Sequence, residues 1–188
     1  ALWRGIDPAE RDEAALAQDL SNLCYRYQQN GQFQEAEDSG REAVEIFGRL
    51  RHPRLGQAGQ HMAHVLGSLG QTREALDMYR QSVATFERMG TASFDTEYSC
   101  SLASVALTLH SLHQEQPPWP AVIAFHRSAV ISCEAITGRE HPEAGYYRRL
   151  LAQALALSGD RPRARHVFGG GDVELSPADV EEMRAGHW

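Results

Sequence analysis

Leu16, Leu20, Leu23 and Tyr27 follow one another at intervals of three and four residues, close to the 3.6-residue turn of an α-helix. The spacing predicts a first amphipathic helix with this stripe as its buried face. Asp7-Pro8-Ala9-Glu10 opens it with an Asx N-cap, a proline at the first helical position and an acid in the first turn. Asn30-Gly31 closes it, since glycine reaches the left-handed conformation that ends a helix. A second helix then carries Phe33, Ala36, Ala43, Val44 and Phe47 on one face.

The same grammar recurs. Leu23-Cys24-x-x-Tyr27-x-x-x-Gly31-x-x-x-x-Ala36 aligns with Met62-Ala63-x-x-Leu66-x-x-x-Gly70-x-x-x-x-Ala75, 39 residues on. A third copy reads Val105-Ala106-x-x-Leu109, has His113 where glycine stood, and resumes at Ala121 and Phe125 after Pro117-Pro118-Trp119. A fourth reads Leu151-Ala152-x-x-Leu155-x-x-x-Gly159-x-x-x-x-Ala164-x-x-x-Phe168. Regular repetition at this length implies stacked helical hairpins, none of which buries its apolar face alone. Cys24, Ala63, Ala106 and Ala152 fall where the two helices of a hairpin cross, opposite Ala36, Ala75, Ala121 and Ala164. Small residues on both sides let two helix backbones approach closely.

A small residue, a large one three on, glycine four later and alanine five further resembles the tetratricopeptide repeat over about residues 10–168. The longer spacing, with His52-Pro53 and His141-Pro142 each before a first helix, resembles the kinesin-light-chain subtype. The resemblance implies an all-α, right-handed superhelical solenoid of about four hairpins with a short C-terminal helix, forming one array over 1–188. The repeats are expected at about 8–50, 53–90, 95–138 and 141–168. A glycine-rich hinge at 169–175 and a capping helix at 176–185 follow, with Asp179, Glu181 and Glu182 as its polar face. Ala1-Leu2-Trp3 resembles the tail of a preceding second helix, so further repeats or domains of a parent chain are expected.

The resemblance also implies a concave groove lined by first helices. Its lanes would hold Gln18, Ser21, Asn22 and Tyr25, then Gln57, Gln60, His61 and His64, then Cys100, Ala103, Ser104 and Leu107, then Tyr146, Arg149 and Gln153. Amides, hydroxyls and imidazoles suit an extended peptide backbone, whose donors and acceptors recur along its length. Family members that clamp a C-terminal carboxylate use lysine, asparagine and arginine there. Here Ser21, Tyr25, Gln60 and Ser104 stand in those places and only Arg148 and Arg149 are cationic nearby, so such a tail is disfavoured. Trp119 in the proline-rich insertion is a candidate contact loop.

Composition narrows the chemistry. The 188 residues are 42% hydrophobic and 23% charged, enough for a core and against disorder. The net charge of −7 argues against nucleic acid as the partner. All 18 basic residues are arginine, which excludes lysine Schiff bases, P-loop lysines and SxxK nucleophiles. No apolar run is long enough to span a membrane. Three widely spaced cysteines read as reduced thiols of a cytoplasmic protein.

No catalytic motif is present, and Glu35, Glu37 and Asp38 read as a solvated outer face. His61/His64 and His110/His113 are each spaced to share a helix face, and with Cys24 or Cys100 could offer metal ligands; no metal or cofactor is expected. The sequence therefore points to a non-enzymatic module that binds a protein or peptide segment, as adaptor or sensor. A ligand-responsive domain controlling an attached effector is the alternative, and a metal-using enzyme or accessory protein the second.

Overall fold

The computed structural model describes residues 8–90 and 96–185. The expectations placed on Asp7 and on Ala1-Leu2-Trp3 lie outside them. Every regular element among the described residues is a helix: α1 (Pro8–Gln29), α2 (Phe33–Arg49), α3 (Leu55–Ser68), α4 (Thr72–Arg88), α5 (Thr96–Leu112), α6 (Trp119–Thr137), α7 (Pro142–Leu157), α8 (Arg161–Phe168) and α9 (Pro177–Ala185). The chain divides into two compact units, residues 1–89 and 90–188.

In the first unit α1 pairs with α2 and α3 with α4, while α2 stacks on α3 and α1 runs beside α3. Both hairpins turn the same way. Gly31 and Gly70 have φ of 75° and 77°, where a side chain on Cβ is strained. The next residue's N–H returns to the helix at each: Gln32 to the Tyr27 carbonyl and Gln71 to the Leu66 carbonyl, both at 2.9 Å. These are Schellman closures, which satisfy carbonyls the helix end leaves open. The crossing residues are fully enclosed: Cys24, Ala36 and Ala63 are 0% exposed and Ala75 is 1%. Gly40 is pinned beside them, since a Cβ there would lie 2.8 Å from Met62 Sδ and 2.9 Å from Cys24 Sγ.

Two expectations fail in this unit. Leu16 and Leu23 are 49% and 40% exposed, while Ala14, Ala17, Ser21 and Cys24 form the buried face of α1. The small residues win because they let α1 sit close to α2, which turns the bulkier leucines outward. Glu37, read as solvated, is 8% exposed and accepts from Arg41 Nε at 3.0 Å one turn on.

The second unit repeats the plan with α5 on α6 and α7 on α8, and α6 packs on α7. Gly159, with φ 97°, closes α7 as Gly31 closes α1, Asp160 N–H reaching the Leu155 carbonyl at 2.8 Å. Without a glycine at 113, α5 simply stops at Leu112, and Pro117-Pro118 leads into α6. α8 has eight residues, and its N-cap is Asp160, whose carboxylate accepts from Arg163 N–H. α9 lies against α6. Ser176 and Asp179 cap α9 reciprocally: Ser176 N–H donates to the carboxylate at 2.8 Å, and Asp179 N–H to the hydroxyl at 3.2 Å. Asp179 was expected on an outward polar face. It is 8% exposed instead, turned onto α6.

Candidate functional site

Polar contacts join α1 to α3 and to its N-cap residue, Arg54, in the first unit. Gln18 Nε2 donates to Asn22 Oδ1 at 3.0 Å, and Arg54 Nη1 donates to Gln18 Oε1. Deeper, Ser21 Oγ is hydrogen-bonded to His61 Nδ1 at 3.1 Å, and the His61 ring lies 5.4 Å from that of Tyr25. Asn22 and Tyr25 are exposed, and Gln18, Gln57 and His61 half-buried. The helix period produces this split, because Gln18, Asn22 and Tyr25 lie three and four residues apart on the flank of the buried Ala17–Ser21–Cys24 face.

Several expected groove residues lie inside. Ser21 and Gln60 are each 2% exposed and brace the helices rather than face solvent. His64 packs edge-on against Tyr79 of α4 at 5.3 Å. Burial, with His61 adding a smaller push, lowers its pKa to about 4, so it is neutral at pH 7.

In the second unit Tyr146 and Arg149 are exposed, the guanidinium 6.0 Å from the Tyr146 ring centre. Gln153 is exposed one turn on, and Ser104 is half-buried. Cys100 shares side-chain hydrogen bonds with Ser104 and with the buried Tyr147, and burial pushes its thiol up to about 11. Arg148 does not join the groove cations. It is 7% exposed, ion-paired with Glu134, and donates to the Gly171 carbonyl at 2.8 Å. Trp119 is half-buried with its ring 5.1 Å from that of His110.

The metal candidates are not brought together. Among the described residues no three histidine, cysteine or acidic side chains gather around one point. His61 is engaged with Ser21 and Tyr25, and burial pushes the Cys24 thiol up to about 11, far from the thiolate a metal needs. His126, which repeat reasoning passed over, is 3% exposed at the base of a small hollow. The available signal was its place in the repeat, where the first two copies carry Arg41 and Arg80.

Residues 13–88 match the tetratricopeptide repeat family. That stretch, α1 to α4, is similar to tetratricopeptide repeats. The crystal structure of BtubC (BKLC) from P. vanneervenii superposes with a TM-score of 0.71 at 19% identity, covering 92% of this chain and 72% of that one. This likeness is one of fold. A Podosopora anserina chain of nearly identical TPR-like repeats, described as a kinesin light chain, gives a TM-score of 0.46 at 18% identity over 94% of this chain and 99% of that one. No curated protein matches the sequence. Tetratricopeptide repeats are in general protein-interaction modules, and no described helix is long and apolar enough to cross a membrane.

Proposed function

We propose that this tetratricopeptide array is a non-enzymatic adaptor or sensor module, working in the cytoplasm, that binds an extended segment of a partner protein along its first helices. One observation carries the reading: Asn22 and Tyr25 stand exposed on α1 beside the half-buried Gln18, braced by Arg54 at the N-cap of α3 and by His61 of α3. Amide and phenol groups held in place beforehand can pair with peptide N–H and C=O groups at little cost in side-chain entropy. The second unit offers Tyr146, Arg149 and Gln153 on α7 for the same purpose. The net charge of −7 works against nucleic acid as the ligand.

The test is affinity capture from the source cell with the wild-type chain, repeated with Asn22→Ala and Tyr25→Ala. A partner lost with these variants but kept with Asp38→Ala on α2 supports the reading. A partner indifferent to all of them refutes it.

A further inference from the structure

The stripe that the α1 period marks as buried is the one the fold leaves open. Leu16 and Leu23 are 49% and 40% exposed. Leu20 and Tyr27, in the same row, are half-buried against the core of the hairpin. The later repeats show what covers such a stripe. Met62, 39 residues after Leu23, is 1% exposed, and Leu151, at the same place in the fourth copy, is 0% exposed. α2 stacks on α3 and α6 on α7, so the preceding helix lies over each of these first helices. The contact is close: a Cβ on Gly40 of α2 would lie 2.8 Å from Met62 Sδ. Helix on helix is the packing this surface is shaped for.

Charge decides which helix fits. Asp12 and Asp19 stand four residues before Leu16 and Leu23, beside them on the helix surface, and both are exposed. Residues 8–50 hold nine acids and four arginines, a net charge of −5. Two of those arginines, Arg41 and Arg49, are ion-paired with Glu37 and Glu13 of the same hairpin. Placing the stripe against its own copy sets acid against acid, and like charges suppress a pairing. The outer side of α2 is no better suited, since Glu35, Asp38, Glu42 and Glu45 are exposed there. A helix with arginine or lysine beside its apolar row meets Asp12 and Asp19 with the opposite charge.

We propose that the open stripe of α1 is a docking face for a basic amphipathic helix of a partner protein, laid on α1 as α2 is laid on α3. Its apolar residues, three and four apart, meet Leu16, Leu20 and Leu23, and its cations meet Asp12 and Asp19. A small residue at the crossing, as Gly40 is beside Met62, lets the two backbones approach. This face is separate from the groove, because Asn22 and Tyr25 lie about 100° and 200° around α1 from Leu23.

The probe is a synthetic helix: the sequence of α2, residues 33–49, carrying Glu35→Lys, Asp38→Lys, Glu42→Lys and Glu45→Lys. These changes take its side-chain charge from −3 to +5. Mixed with the full chain at low salt, the basic peptide is expected to bind saturably in fluorescence anisotropy, about tenfold or more tighter than the unmodified α2 peptide. Leu16→Gln combined with Leu23→Gln should weaken it about tenfold or more. Asp12→Asn combined with Asp19→Asn should bring the two peptides within about twofold of each other. Asn22→Ala and Tyr25→Ala should leave binding unchanged, which separates this face from the groove. All six positions are exposed, so circular dichroism should show the variants folded. A second measurement uses Leu16→Cys, whose thiol should react with a disulfide reagent about as fast as free cysteine, and about tenfold slower under saturating peptide. Slow labelling without peptide would mean that the chain covers its own stripe, and a dimer in sedimentation that Leu23→Gln abolishes would make the occupant a second copy. Either overturns the proposal, as do equal affinity for the two peptides, binding indifferent to Leu16 and Leu23, or no saturable binding.

Discussion

Arg127 of α6 holds both carboxylate oxygens of Asp179 of α9, at 2.9 and 2.8 Å, and so fixes the last described helix to the third hairpin. Both side chains are mostly covered, 17% and 10% exposed, which makes the pair more than a surface contact. Removing the carboxylate strands a guanidinium. Asp179→Ala is expected to cost on the order of 3 kcal/mol of α9 docking. Hydrogen exchange should show faster exchange along α9, with the amides of α1–α4 unchanged.

The same carboxyl sets an acid limit. Burial alone would raise its pKa, but hydrogen bonds from the Ser176 N–H and hydroxyl, with Arg127, outweigh this and hold it below the ordinary value of 3.8. A carboxyl depressed on folding contributes stability above its unfolded pKa and loses it as pH falls through the folded value. The protection factors of the α9 amides should therefore hold down to about pH 4 and fall below it. Protection factors unchanged down to pH 2 would contradict this account.

Histidines impose a separate, milder acid slope. His64 and His126 are each lowered to about 4, mainly by burial. The unfolded chain thus takes up protons near pH 6.5 that the folded one refuses, and stability falls as pH drops from 6.5 toward 4. Each ring accounts for on the order of 2–3 kcal/mol across that window. Urea midpoints should decline over it, and His126→Leu should remove a large part of the slope.

The helix crossing in the second repeat leaves no spare volume, with Ala63 at 0% and Ala75 at 1% exposure. Ala63→Leu is expected to destabilise by roughly 1–3 kcal/mol through overpacking. An unchanged thermal midpoint would mean that the two alanines do not face each other.

For the groove, Asn22→Ala removes a donor and an acceptor from an exposed position and should leave the melting temperature nearly unchanged. Losing its pairing with a bound peptide unit costs about 1–3 kcal/mol, five- to more than a hundredfold in affinity. His64 behaves otherwise. Packed on Tyr79, it should lower the melting temperature when truncated, so it is unsuitable as a groove probe.

The turns and crossings were legible in the sequence because each answers to one backbone requirement. Gly31, Gly70 and Gly159 all adopt the positive φ their spacing implied, and the small crossing residues are all buried. Side-chain facing was less legible. Leu16 and Leu23 look like core by hydrophobicity, but the close approach permitted by Ala17 and Cys24 displaces them. Ser21 and Gln60, assigned to the groove by register, sit one step around the helix, inside. His126 and Asp179 were missed because their burial depends on elements distant in sequence, α7 for one and α6 for the other. No local pattern records such a neighbour.

The three free cysteines are distributed in a way that turns them into clocks. Cys24 lies in the first unit, Cys100 and Cys133 in the second, and burial raises the pKa of all three. Cys24 and Cys133 are 0% exposed. Protonated, enclosed thiols react slowly with disulfide reagents until the helices around them part. Labelling kinetics followed site by site by mass spectrometry would then report the opening of each unit separately, in the native protein and without denaturant. A partner that clamps only one unit would slow only that unit's labelling, which would locate its binding before any complex is crystallised.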